Sequence, residues 1–199
     1  GQNMKLVIRK KIDLPNKVRK YVKKIVYSKN IFLESNTWWH EVFKDVDICI
    51  HLAWYLNHDD YLNSKINNEC MNGTIAIAKY AKDSKLKKFV GIGTFYEYDS
   101  TEQFMSIDTK LNPNSLYGSC KAKTFLLVSE ILKDTKTKFL WIRLFNLFGD
   151  RESIKRLYPY IKNQVSNKEP VEILFGDDVR DFMNVRDASK DIVDLALKE

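Results

Sequence analysis

At 199 residues and 44% hydrophobic content, the chain can bury one core or slightly more. It has no run of 18 apolar residues, which excludes a membrane-spanning helix, and its opening GQNMKLVIRKK lacks the charged, apolar, small order of a secretory signal. The net charge of +7 is concentrated: residues 1–30 hold ten basic residues against the single acid Asp13, so the other 169 residues sum to −2. No aromatic platform interleaves this basic run, and no zinc, RRM or KH signature accompanies it. It reads as a solvated lysine-rich face, and no nucleic-acid partner is expected.

In chain order, the apolar runs are short and β-rich, as buried parallel strands read. They are KLVI (5–8), NIFL (30–33), VDICIHLA (46–53), KFVGIG (88–93) and FLWIRLFN (139–146). Helices are predicted over 65–82 and 114–133, where apolar residues recur at helical spacing. Strands alternating with helices predict an α/β doubly wound parallel sheet. After Asn146 the pattern changes to a helix near 153–166, a short strand VEILF (171–175) and the tail VRDFMNVRDASKDIVDLALK. Two domains follow: 1–149, with the sheet, and 150–199, the start of a smaller substrate-facing lobe.

Cys49, Cys70 and Cys120 are odd in number and widely spaced with no CxxC, the pattern of reduced thiols in a cytoplasmic protein. His40, His51 and His58 lack the Cys, Asp or Glu spacing that completes a metal site, so no metal is expected. In open α/β sheets, ligands sit at the carboxyl ends of the strands. Those ends read HLAWY, GTFYEYD and NLFGD. In NSLYGSCK (114–121), Tyr117 and Lys121 stand four apart and share a helix face. Alone, that spacing is common in a lysine-rich chain.

Taken together, these stretches resemble the extended short-chain dehydrogenase/reductase family of nucleotide-sugar epimerases, dehydratases and 4-ketoreductases. DVDICIHLAW is similar to the family's strand ending in His-Leu-Ala. NGT (72–74) is similar to its Asn-x-x-Gly-Thr helix, with Cys70 where the cofactor-contacting Asn stands. KKFVGIGTFYEYD resembles the strand carrying a catalytic Ser or Thr, PNSLYGSCK the Tyr-Lys helix, IRLFNLFG the next strand, and GDDVRDFMNVRDAS the nucleotide-binding stretch. The six occur in the family's order.

The resemblance implies a Rossmann-like sheet with a smaller C-terminal lobe, and Thr94, Tyr117 and Lys121 as the catalytic set. A free tyrosine, with a pKa near 10, is a poor base at neutral pH. A neighbouring ammonium and the positive nicotinamide of an oxidised cofactor would favour its phenolate, while Thr94 would hydrogen-bond the substrate oxygen. The resemblance also implies cofactor contacts from Arg9, Leu52, Ala53, Trp54, Tyr117, Lys121 and Leu147, and substrate contacts from Thr94, Asn146, Arg156 and Arg180. The two arginines offer forked donors suited to a diphosphate. NADP(H) is favoured over NAD(H), because Arg9-Lys10-Lys11 would end the strand where an acid otherwise holds the ribose 2′-hydroxyl.

The opening GQNMKLVIRK resembles the family's second strand, with Gly1 at the preceding turn, and the seven glycines form no GxxGxxG. The expectation is therefore a fragment, without the glycine loop and short of the full substrate lobe. Dehydratases of the family carry Thr-Asp-Glu where this chain has Thr94-Phe95-Tyr96, which argues against dehydration. The favoured activity is 4-ketoreduction of a nucleotide-diphosphate deoxysugar in surface polysaccharide or glycan precursor synthesis. A 4-epimerase and a non-catalytic NAD(P)-binding relative are the alternatives. In the family, the helix bearing the Tyr-Lys pair and the helix before it form a four-helix dimer interface, so a homodimer through the 65–82 and 114–133 helices is expected.

Overall fold

A computed structural model describes residues 3–11, 14–102, 104–174 and 176–198. The Gly1 turn, Asp13 and the end of the predicted 171–175 strand at Phe175 lie outside the described residues. The elements are β1 (Met4–Ile8), α1 (Asn16–Arg19), β2 (Val22–Tyr27), α2 (Asn36–Phe43), β3 (Ile48–His51), α3 (Ile66–Lys82), β4 (Lys88–Thr94), α4 (Leu116–Leu132), β5 (Lys138–Leu144), β6 (Asn146–Phe148), α5 (Leu157–Asn167), β7 (Phe182–Asn184) and α6 (Val185–Leu197). Short 3₁₀ turns cover Ile31–Leu33 and Phe95–Glu97.

The α/β architecture is the expected one. The described strands form three small sheets, β1-β2, β3-β4-β5 and β6-β7, and β1–β2, β3–β4 and β6–β7 pair in parallel. Two expected strands are corrected. NIFL is a 3₁₀ turn, because Asn30 accepts a hydrogen bond from Phe32 N and caps it. The strand is β2 instead, whose outward Lys23 and Lys24 break the apolar run. Residues 171–174 are not strand, and Val171, Ile173 and Leu174 are all exposed. The strand of that region is β7.

The chain divides into two compact units, Gly1–Ile142 and Arg143–Glu199. In the first, β4 is the middle strand, with Phe89, Val90, Gly91 and Gly93 buried, as a strand covered on both faces requires. Phe89 packs in one cluster with Trp39 and Phe43 of α2, Ile77 and Ala81 of α3, and Val128 of α4. Each large apolar side chain buried there contributes about 1.5–3 kcal/mol. Helix α2 starts at Ser35, whose hydroxyl accepts from Trp38 N at 3.2 Å. It ends where Lys5 of β1 donates to the Val42 and Lys44 carbonyls, placing a cation at the negative helix end. In the second unit, Asn184 caps α6 by accepting from Arg186 N, and the Arg186 guanidinium pairs with Asp150.

Candidate active site

Strand β4 delivers Thr94 to its carboxyl end, where the chain turns at once into the 3₁₀ turn Phe95–Glu97. The turn is held by a capping box: Thr94 Oγ1 accepts from Tyr96 N at 3.4 Å, and Glu97 Oε1 accepts from Thr94 N at 2.8 Å. Glu97 is fully buried and also accepts from the Trp141 indole N–H, at 3.1 and 3.2 Å to its two oxygens. The VGIG stretch has a physical reason: a Cβ at Gly91 or Gly93 would collide with the Trp141 indole.

Helix α4 begins at Ser115, which accepts from Gly118 N at 3.1 Å, so Tyr117 falls in its first turn. Gly118 lets the helix approach the turn, since a Cβ there would strike the Tyr96 carbonyl. Tyr117 N donates to Leu62 O at 2.9 Å, which brings the loop after β3 over the helix. The Tyr117 ring is buried in edge contact with Tyr61, Tyr96 and Trp54, at centroid separations of 5.2, 6.1 and 6.3 Å. One turn on, Lys121 is 5% exposed. Its ammonium donates to Ile92 O at 2.6 Å and lies 3.9 Å from the centre of the Trp54 ring, a cation–π contact. Trp54 is held in turn by Asn67, which accepts from its indole N–H at 2.8 Å and donates to the Tyr61 and Ser64 carbonyls.

Electrostatically the site is dry. Burial lowers Lys121 to about 7, against the opposing pull of Glu97 and Cys70. Burial raises Tyr117 above the ordinary tyrosine value, and the Thr94 hydroxyl pulls the other way. The expected phenolate is thus not favoured by these residues alone; desolvation outweighs the help its neighbours provide. His51 of the HLA motif is buried and brought down to about 3, by burial and then by the Lys121 charge. Its Nε2 lies 3.0 Å from Thr74 Oγ1, whose hydroxyl donates to Cys70 O, so the imidazole N–H is the donor between them. It ties β3 to α3.

Among the sequence-predicted residues, Trp54, Thr94, Tyr117 and Lys121 come together in the first unit. Leu52 and Ala53 directly follow β3, Leu52 being 65% exposed. Arg9 is exposed just past β1. Asn146, Leu147, Arg156 and Arg180 belong to the second unit. There the Asn146 side-chain amide donates to Asp181 O, Arg156 pairs with Glu152 at 2.9 Å, and Arg180 pairs with Asp178 at 2.7 Å. Glu97, Trp141 and Asn67 are site residues that the sequence reading does not single out. The T-x-x-E spacing of Thr94 and Glu97 was the available signal. Among the described residues, no cluster of three His, Cys, Asp or Glu side chains could hold a metal, and no helix is long and apolar enough to cross a membrane.

Residues 11–199 match the profile described as the NAD dependent epimerase/dehydratase family. The chain is 29% identical over 119 residues to the capsular polysaccharide biosynthesis protein CapD of Staphylococcus aureus, covering 59% of this chain and 17% of that one. It is 27% identical over 157 residues to the dTDP-D-glucose 4,6-dehydratase of Dictyostelium discoideum, covering 71% of this chain and 36% of that one. Among solved structures it is similar to the UDP-glucuronic acid 4-epimerase of Bacillus cereus in complex with UDP-glucuronic acid and NAD. That match has a TM-score of 0.73 at 21% identity and covers 92% of this chain and 58% of that one. The chain therefore spans less than two thirds of the length of each of these proteins.

Proposed function

This chain belongs to the NAD-dependent epimerase/dehydratase family, and from that premise we propose that it is the NAD(P)-dependent 4-ketoreductase of a nucleotide-diphosphate deoxysugar, working in the cytoplasm on precursors of a surface polysaccharide or glycan. The observation that carries this reading is the convergence of Thr94, Tyr117 and Lys121 at the end of β4, with Tyr117 held as a neutral phenol. A reduction begins with that species. A reduced nicotinamide cofactor, when bound, would supply the hydride; Tyr117 gives its proton to the C4 oxygen of the sugar, and the Thr94 hydroxyl orients that oxygen. The Lys121 ammonium then stabilises the phenolate left behind.

Leu52, Ala53 and Trp54 would line the cofactor beside Tyr117 and Lys121. The exposed Leu52 is an apolar surface that a nicotinamide cofactor would cover. No carboxylate stands directly after Thr94, where Phe95 and Tyr96 stack on each other at 4.3 Å. This counts against dehydration. A 4-epimerase is the second reading, supported by the likeness to the Bacillus cereus 4-epimerase. The full-length protein given a 4-keto nucleotide sugar with NADPH and, separately, a 4-hydroxy nucleotide sugar separates them. A reductase oxidises one cofactor per sugar; an epimerase interconverts C4 epimers with no net cofactor change. No reaction with either substrate class, despite cofactor binding, would favour a non-catalytic relative.

We assign residues 150–199 to the substrate lobe, with Arg156 and Arg180 and, just before it, Asn146 on the nucleotide diphosphate. Arg180 pairs with Asp178 on the surface, and such an exposed pair gives way at little cost. Charge-assisted bonds to phosphate are worth about 1.5–3 kcal/mol. Arg180→Ala should therefore weaken nucleotide-diphosphate binding about ten- to a hundredfold and leave cofactor affinity unchanged. Calorimetry with GDP, UDP, CDP and dTDP checks this and reads out the base. If none binds the wild type, the nucleotide-sugar assignment fails.

The preference for NADP(H) rests on Arg9, exposed beyond β1, while the Bacillus cereus neighbour is in complex with NAD. A lower Michaelis constant for NADPH than for NADH, lost in Arg9→Ala, is the expected result. A homodimer through α3 and α4 is supported by Leu126 and Leu127, 55% and 48% exposed on α4. Light scattering at micromolar concentration should give twice the chain mass, and a monomer would dispose of the dimer.

A further inference from the structure

Glu97 has no part in the steps just described, yet it is the most deeply buried ionisable group of the site. Its two oxygens accept from Thr94 N and from the Trp141 indole N–H. The capping box by itself needs only an acceptor, which a glutamine would supply as well. Burying a charge is costly unless another charge answers it. Here Lys121 is the cation in the same dry space, its ammonium 5.8 Å from the centre of the Trp141 ring that Glu97 holds.

We propose that Glu97 is a positioning residue: one carboxylate fixes the main chain of Thr94, locks the Trp141 indole over Gly91 and Gly93, and supplies the counter-charge to the Lys121 ammonium. The inference rests on the reading of Thr94, Tyr117 and Lys121 as the catalytic set. It adds a reason for an acid rather than an amide three residues after Thr94. The groups facing Lys121 are Glu97 from the turn, Cys70 from α3, His51 from β3 and Tyr117 from its own helix; those facing Tyr117 are Tyr61, Tyr96 and Glu97. Of these neighbours, Glu97 is the one that raises Lys121 most, against its burial. Without that anion the ammonium gives up its proton at lower pH.

The test compares wild type with Glu97→Gln and Glu97→Asp in the full-length protein. Lys121 is titrated by NMR of ¹³C-labelled lysine, with its signal assigned by Lys121→Met, and the pH profile of turnover is measured alongside. In Glu97→Gln the Lys121 titration should move to lower pH and the alkaline limb of kcat should move with it. kcat should fall by up to about 10²-fold with KM little changed, the scale of a misplaced catalytic group. Glu97→Asp should restore the titration and part of the rate. A Glu97→Gln variant with wild-type titration and profile overturns the proposal, and so does failure of both variants to fold. If only Glu97→Gln fails to fold, Glu97→Asp decides: a Lys121 titration like that of the wild type supports the proposal and a displaced one overturns it. The titration needs no substrate. A wild type that turns over no nucleotide sugar therefore defeats the proposed function while leaving Glu97 to be judged on Lys121 alone.

Discussion

Tyr117→Phe should lower turnover by about 10²–10⁴-fold, the usual worth of a placed proton donor, while leaving the fold and cofactor binding as they were. Only the hydroxyl is removed. The ring keeps its edge contacts with Tyr61, Tyr96 and Trp54, and the main-chain bond from residue 117 to Leu62 O is independent of the side chain. The thermal midpoint should therefore stay within a few degrees of the wild type. Because burial holds Tyr117 above the ordinary tyrosine value, its proton is present throughout the neutral range. The reductive rate of the wild type should show no loss from Tyr117 ionisation below the usual tyrosine pKa. Single-turnover kinetics with saturating reduced cofactor read the chemical step directly. Near wild-type turnover in Tyr117→Phe would end the catalytic reading of the triad.

Much of this site is local, which is why it was legible. The i,i+4 spacing of Tyr117 and Lys121 and the strand that ends at Thr94 are properties of short segments. What escaped is long-range or depends on burial. The bond from Trp54 to Asn67 joins a loop to a helix thirteen residues on, and that from Trp141 to Glu97 spans forty-four residues. No periodicity encodes either. The same holds for the state of Tyr117. A lysine four residues away suggests a phenolate, but the surrounding aromatic rings and the loop over α4 exclude water, and desolvation decides the sign. Among the elements, NIFL failed because four apolar residues do not distinguish a strand from a capped turn, whereas β2 was hidden by the outward lysines of an exposed face.

Lys121→Met should separate stability from catalysis in one variant. The substitution nearly preserves volume and removes a charge that is 5% exposed. The folded-state value of Lys121 is brought down to about 7 from an ordinary 10.5. Below the folded value the lysine is charged in both states, and the folded protein carries the whole desolvation penalty. Between the two values the unfolded chain binds more protons than the folded one, so wild-type stability from this group rises with pH. Methionine escapes the penalty at every pH. Its advantage over the wild type should be largest below pH ~7 and should fade as pH climbs toward the unfolded lysine value, offset in part by loss of the bond to Ile92 O, worth about 1 kcal/mol. Thermal melts of both proteins across this range check the sign, and a stability difference independent of pH would mean that Lys121 is not carried as a buried cation. Turnover should move the opposite way. With no ammonium to stabilise the phenolate left on Tyr117, the rate should fall about 10²–10⁴-fold, and reduced-cofactor affinity should weaken because the same ammonium would bond the ribose. A variant that is more stable at low pH yet inactive is the signature of a charge retained for chemistry against its own cost to the fold.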